Sequence, residues 1–200
     1  MDFNLNQAMK VEILKMPLAF TQIQKATQEL GFTMASDPAT GSLLQTLAAT
    51  KPGGKFLELG TGTGLSTAWI LEGMDQKASL ESIDFDPEVL AIAKSFLGKD
   101  PRLKLTEMDG EEWVLSNLHQ KFDYIFADTW HGKYLLLEEV LEMLEVGGIY
   151  LIDDMLPQPN WPEGHAQKAE NLVKKLESMP FLSITKLNWS TGILLATRTF

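Results

Sequence analysis

The sequence predicts an α/β fold: a seven-stranded, mostly parallel sheet with helices on both faces and one antiparallel strand in a C-terminal hairpin. Three observations carry this. First, apolar β-rich runs alternate with helical stretches from residue 55 to 154, which implies parallel strands joined by right-handed helical crossovers. Second, the first of these runs ends in a glycine turn, Gly60-Thr61-Gly62-Thr63-Gly64, that opens a helix. Third, the chain closes with two β-rich runs, 182–187 and 192–198, joined by Asn188-Trp189-Ser190-Thr191, the pattern of a hairpin.

Taken in order, residues 6–30 read as one or two amphipathic helices bent or broken at Pro17. Met9, Ile13, Leu14, Leu18, Ile23 and Leu30 mark the apolar face, and Gly31 ends it. Residues 1–35 are thus expected to form a helical cap on a core of residues 36–200, within one domain. Such a cap covers a pocket or makes a dimer contact, and with the closing hairpin it offers surfaces for a homodimer. Met34 to Pro38 is a loop, 38–50 a helix carrying Leu43, Leu44 and Leu47, and Lys51-Pro52-Gly53-Gly54 a turn. Strands follow at 55–60, 79–85, 103–109, 122–128 and 148–154, and helices at 64–73, 86–98, 110–120, 132–145 and 163–179. Phe56, Leu57 and Leu59 form the apolar run of a strand covered on both faces. Asp86 caps the helix that starts at Pro87.

Composition narrows the function classes. Two hundred residues with 44% hydrophobic and 22% charged content suit one soluble domain with a sizeable core. A net charge of −10 argues against nucleic acid or an anionic membrane as partner. The absence of cysteine excludes disulfides and thiol chemistry, and leaves any metal to carboxylates and histidine. No apolar run is long enough to span a bilayer, and Met1 to Asn6 lacks the features of a signal peptide. A cytoplasmic location is expected.

The glycine turn brings backbone N–H groups and a helix N-terminus to the carboxyl end of a strand, where open α/β sheets bind ligands. Leu65 stands where the dinucleotide fingerprint wants its last glycine, which disfavours a nicotinamide oxidoreductase. Glu58-x-Gly60-x-Gly62-x-Gly64 instead resembles the first motif of S-adenosylmethionine-dependent methyltransferases. Asp84 follows about twenty residues later, the spacing at which a carboxylate reaches ribose hydroxyls; the alternative is that it only begins a turn. Phe85 beside it is placed to pack on adenine. In such enzymes an acid after the third strand accepts the adenine amino group, and Asp109 and Gly110 fit that place. Asp109 and Glu112 also read as a helix cap and first-turn acid. Asp128, Asp153 and Asp154 end two strands expected to be neighbours. Three carboxylates there would repel and rise in pKa, which a hard divalent cation such as Mg²⁺ would relieve.

At these residues the chain resembles the catechol and caffeoyl-CoA O-methyltransferase family. Met34-Ala35-Ser36-Asp37-Pro38-Ala39-Thr40-Gly41-Ser42-Leu43-Leu44 matches the family's loop and following helix. Ser66 falls where the family uses a serine on the methionine carboxylate. Phe126-Ala127-Asp128-Thr129-Trp130-His131-Gly132-Lys133-Tyr134 looks like its fourth-strand motif. The resemblance covers roughly residues 30 to 200 and implies a Rossmann-like class I methyltransferase fold. It places the cofactor on Met34, Ser36, Glu58, Gly60, Thr61, Gly62, Gly64, Ser66, Asp84, Phe85, Asp109, Gly110, Asp128 and Trp130. Asp128, Asp153 and Asp154 fall on its metal ligands, and His131 on its catalytic lysine, with Asp128 beside the reacting methyl. Two departures stand out: Asp154 replaces the usual Asn, and His131 the Lys. A histidine base remains chemically sensible near neutral pH.

The expected activity is methyl transfer from S-adenosylmethionine to a hydroxyl of a small, aromatic acceptor, assisted by a divalent cation. Alternatives are a metal-independent enzyme acting on nitrogen or a carboxylate, and a non-catalytic S-adenosylmethionine-binding regulator. The stretch Met155 to His165, with three prolines, forms either a wall over the acceptor, with Trp161 offering a flat face, or a rigid surface connection with His165 turned to solvent.

Overall fold

Strand β1 (Lys55–Leu59) lies at the centre of the sheet in the computed structural model, which describes residues 15–158 and 161–200. Its parallel neighbours are β2 (Ser79–Asp84) and β4 (Phe122–Ala127). Beyond them lie β3 (Leu103–Glu107) and β5 (Leu144–Ile152), also parallel. β7 (Ile193–Arg198) runs antiparallel to β5, and β6 (Leu182–Leu187) antiparallel to β7, giving the order 3-2-1-4-5-7-6. The expected seven strands and reversed terminal hairpin are present.

Side chains alternate across the sheet with the period of two that strands impose. Phe56, Tyr124, Phe126, Ile149 and Leu151 pack under α1 (Phe20–Leu30), α2 (Pro38–Ala48) and α3 (Leu65–Gly73). Leu57, Leu59, Ile125, Ala127, Tyr150 and Ile152 pack under α5 (Gly110–Ser116), α6 (Leu137–Glu142) and α7 (His165–Glu177). α4 (Pro87–Leu97) packs beside α1 on the first face. Helix α3 is buried along almost its whole length, which explains why its sequence is apolar all round.

Helix starts follow their caps. Asp37 accepts the N–H groups of Ala39 and Thr40 before Pro38, and Asp86 accepts that of Glu88 before Pro87. The expected N-terminal helix stands as α1 from Phe20, ended by Gly31 at φ 76°; the part expected over residues 6–14 lies outside the described residues. Two bounds differ. The helix expected over 110–120 stops at Ser116, where Asn117 turns its side-chain amide back to the Trp113 carbonyl. The helix expected over 132–145 is only α6, because residues 130–136 are taken up by a compact loop. β5 then begins at Leu144, four residues early, and its register slips between Phe122 and Tyr124 of β4, with Gly147 at φ 80°.

Candidate active site

The sheet changes direction of growth between β1 and β4, the place where open α/β sheets carry their ligand crevice. A cavity of about 640 Å³ opens there over the carboxyl ends of β1, β2, β4 and β5. The glycine turn forms its floor. Gly60 adopts φ 101°, and a Cβ on it would stand 2.7 Å from the Asp128 carbonyl oxygen, so no other residue fits without moving the strand ends apart. Gly60 and Thr61 both donate their N–H to the Ile83 carbonyl, at 2.9 and 3.1 Å.

Asp84 begins the turn after β2 and faces the cavity. Its Oδ2 accepts the Gly62 N–H at 2.8 Å and its Oδ1 the Asp86 N–H at 3.1 Å. The carboxylate therefore latches the glycine turn to the end of β2. It also lines the cavity, and each oxygen keeps a further acceptor site. Met34, Ser36, Gly60, Thr61, Gly62, Ser66, Phe85, Gly110, Asp128 and Trp130 line the same cavity. Phe85 and Met34 are exposed at its rim, and the Ser36 hydroxyl donates to Asp128 Oδ2 at 3.0 Å.

Three residues expected at the cofactor do not line the cavity. Glu58 is fully buried beneath the turn. Its Oε2 accepts the hydroxyls of Thr67 and Ser82, each at 2.5 Å, while Oε1 has no hydrogen-bond partner among the described residues. Burial pushes its pKa up to about 7 against the pull of the Ser66, Ser82 and Thr67 hydroxyls. It supports the turn from below. Gly64, at φ 93°, opens α3 where a Cβ would crowd Ala93 at 2.9 Å. Asp109 caps α5, accepting the Glu111 and Glu112 N–H groups.

The loop after β4 departs most from expectation. β3 and β5 end at opposite sides of the cavity, and His131 lies on the β3 side. A Cβ on Gly110 would meet the His131 ring at 2.5 Å, and His131, Asp109 and Glu111 come within 4.8 Å of one another. The imidazole expected as a base thus packs where the resemblance puts adenine. Trp130, which the resemblance places at the cofactor, faces the β5 side of the cavity. Its ring meets Tyr134 edge-on at 5.5 Å and His165 at 6.1 Å. Trp161 packs on His165 at 4.5 Å, and the Tyr134 hydroxyl lies 3.1 Å from His165 Nε2. Tyr134, Trp161 and His165 all line the cavity, so His165 belongs to the wall rather than to an outward-facing connection.

The three aspartates also line the cavity, but they do not form a metal cage. Asp109, Glu111 and His131 make up the only group of three possible ligands within 4.8 Å among the described residues, and the Asp128, Asp153 and Asp154 trio is not one. Asp153 is buried, and its Oδ1 accepts the Thr191 hydroxyl and the Asp154 N–H. Asp128 is tied to Ser36, and Asp154 sits at φ 56°. Burial raises the Asp128 and Asp153 carboxyls; neighbouring carboxylates add to the rise, and Lys133 draws Asp128 down. As they stand, each of the three is held by its own neighbours rather than turned to a common point.

Lys133 is the residue that motif spacing missed. Only 6% exposed, it lines the cavity and donates from Nζ to the Asp153 carbonyl at 2.7 Å. The loop turns it inward. The Trp130 carbonyl gathers the N–H groups of Lys133, Tyr134 and Leu135, and the buried Tyr150 hydroxyl holds the Gly132 carbonyl. The available signal was a second basic residue in the strand-exit loop.

A family model described as O-methyltransferase matches residues 9–199. The chain belongs to the O-methyltransferase family. A Mycobacterium ulcerans sequence named only by inference as an O-methyltransferase is 36% identical over 125 residues, covering 59% of this chain and 55% of the relative. The chain spans about half the length of the curated O-methyltransferases it matches. Among solved structures, a Bacillus cereus O-methyltransferase in complex with SAH superimposes with a TM-score of 0.82 at 17% identity, covering 96% of each chain. TomG, a Streptomyces achromogenes O-methyltransferase in complex with SAM, does so with a TM-score of 0.80 at 19% identity, covering 94% of this chain and 92% of TomG. At these identities the likeness establishes the shared fold.

Proposed function

We propose that the protein transfers a methyl group from S-adenosylmethionine to an oxygen of a small aromatic hydroxyl compound. The observation that carries this reading is the Gly62–Asp84 latch on the cavity floor. It presents a carboxylate with spare lone pairs where a vicinal ribose diol would donate two hydrogen bonds. Gly60 and Gly62 line the cavity floor, so a ligand there meets bare backbone, and Phe85 offers an exposed ring beside the diol site. Ser66 on the floor and the Ser36–Asp128 pair supply polar partners for the amino-acid end. Bound there, S-adenosylmethionine would supply a methyl group activated by its sulfonium charge.

Trp130, Tyr134, Trp161 and His165 form a ring-lined wall at the β5 side of the cavity. Such a wall favours a flat apolar acceptor. The acceptor oxygen attacks the methyl carbon in line, the carbon–sulfur electron pair returns to sulfur, and the hydroxyl proton passes to one of the aspartate carboxylates that line the cavity. Alignment and exclusion of water are the protein's main contributions. An amine acceptor would meet the Lys133 ammonium as a like charge, which favours oxygen over nitrogen.

The test has two arms. Calorimetry should detect S-adenosylmethionine binding that Asp84→Ala weakens by about 10- to 100-fold, the cost of leaving hydroxyl donors unpaired. Label transfer from S-adenosylmethionine should then appear on catechols or simple phenols. No binding by the unaltered protein would sink the reading; transfer to carboxylic acids alone would move the acceptor class.

A further inference from the structure

We propose that the Lys133 ammonium stands in for a divalent cation, holding the acceptor oxygen so that this family member works without metal. The inference rests on the methyl-transfer reading above. The resemblance calls for a cation beside Asp128, Asp153 and Asp154, yet their carboxylates do not gather around a point. The fixed positive charge of Lys133 lies among them instead, at the β5 side of the cavity.

Its geometry leaves it free to act. An ammonium carries three donors, and Nζ uses one on the Asp153 carbonyl. Among the described residues Lys133 forms no direct ion pair with a carboxylate. Two donors therefore remain for a ligand in the cavity. The Tyr134 ring centre lies 6.0 Å from Nζ, so an aromatic acceptor stacked at that wall brings its hydroxyl within reach. The neighbouring aspartates offer the lysine countercharge, which answers the cost of burying it. An ammonium so placed stabilises the negative charge that grows on the oxygen as its proton leaves, the work a cation would otherwise do. The substitution of Asp154 for Asn fits the same account. It adds a negative charge to the cavity wall that also carries the lysine.

Binding of Mn²⁺ alone, followed by electron paramagnetic resonance, reads the charge question without turnover. The unaltered protein should leave stoichiometric Mn²⁺ free, and any methyl transfer should be indifferent to a chelator. Lys133→Met should bind S-adenosylmethionine as the unaltered protein does, which also shows that it folds. It should lose methyl transfer by about 100-fold or more, the scale for removing one charged donor from a reacting oxygen, and added Mn²⁺ should not restore it. A Mn²⁺ site in the unaltered protein that Asp153→Asn abolishes would overturn the proposal. So would a Lys133→Met protein that keeps its turnover in chelator. If the unaltered protein bound no S-adenosylmethionine, the broader reading would fail; S-adenosylmethionine binding with turnover that a chelator abolishes would overturn this proposal alone.

Discussion

His131 and Lys133 stand two residues apart in one loop but serve opposite sides of the cavity. His131 packs over Gly110, and Lys133 reaches the Asp153 carbonyl. His131→Ala should therefore raise the KM for S-adenosylmethionine by about 3- to 10-fold and leave kcat unchanged, the pattern of lost uniform binding. A fall in kcat alone would return His131 to the chemistry. Glu58 makes a second residue-scale prediction. Its carboxyl titrates near 4.5 in the unfolded chain and near 7 when buried. Between those values the folded state holds a proton that the unfolded state has lost, so stability falls as pH rises from 4.5 to 7 and levels above. The total loss is about 3 kcal/mol. Urea unfolding at several pH values should show that Glu58→Gln flattens this slope; an unchanged slope would place the titration elsewhere. The Asp109 cap was legible because its partners are backbone groups two and three residues on; Asp84 was legible as a turn acid for the same reason, but its latch to Gly62 reaches 22 residues back along the chain. The positions of His131 and Lys133 were not legible, because their partners belong to other strands.

Among the elements, α2 and α3 pack more closely than ordinary side chains allow. A Cβ on Gly41 would stand 2.2 Å from the Trp69 ring, and one on Gly73 2.2 Å from the Gln45 carbonyl oxygen. Trp69 is buried and meets Phe20 edge-on at 5.7 Å, so it has nowhere to retreat. Gly41→Ala should cost about 1–3 kcal/mol of unfolding free energy in urea, the usual range for overpacking. A neutral result would show that the helices can separate. Helix and strand order was readable throughout, since periodicity and caps are local. The loop before α6 was not. Its residues carry a plausible helical pattern, but the Trp130 carbonyl collects three N–H groups and Leu136 adopts φ 54°, which ends any continuous helix there.

The cavity is lined from the loop before α2, the glycine turn, the exits of β2, β3, β4 and β5, the start of α7 and Thr191, so ligand binding ties distant parts of the molecule together. The hairpin takes part: Trp189 Nε1 donates to the Ala39 carbonyl at 2.8 Å, and Thr191 holds Asp153. S-adenosylhomocysteine at 100 times its Kd should therefore add about 2.7 kcal/mol of stability, or about 5–10 °C in Tm for a chain of this size. Thermal melts should show this shift in the unaltered protein and a smaller one in Asp84→Ala at the same concentration; equal shifts would remove Asp84 from the binding site. The sequence by itself determined the strand–helix alternation, the glycine turn and the helix caps, because hydrophobic period, glycine's freedom and capping act over a few residues. Only the tertiary structure decided which side chains of the β4 exit loop meet which end of the cavity. That choice depends on the Tyr150 hydroxyl reaching across from β5 to the Gly132 carbonyl, a contact between segments whose spacing in the chain carries no trace of it.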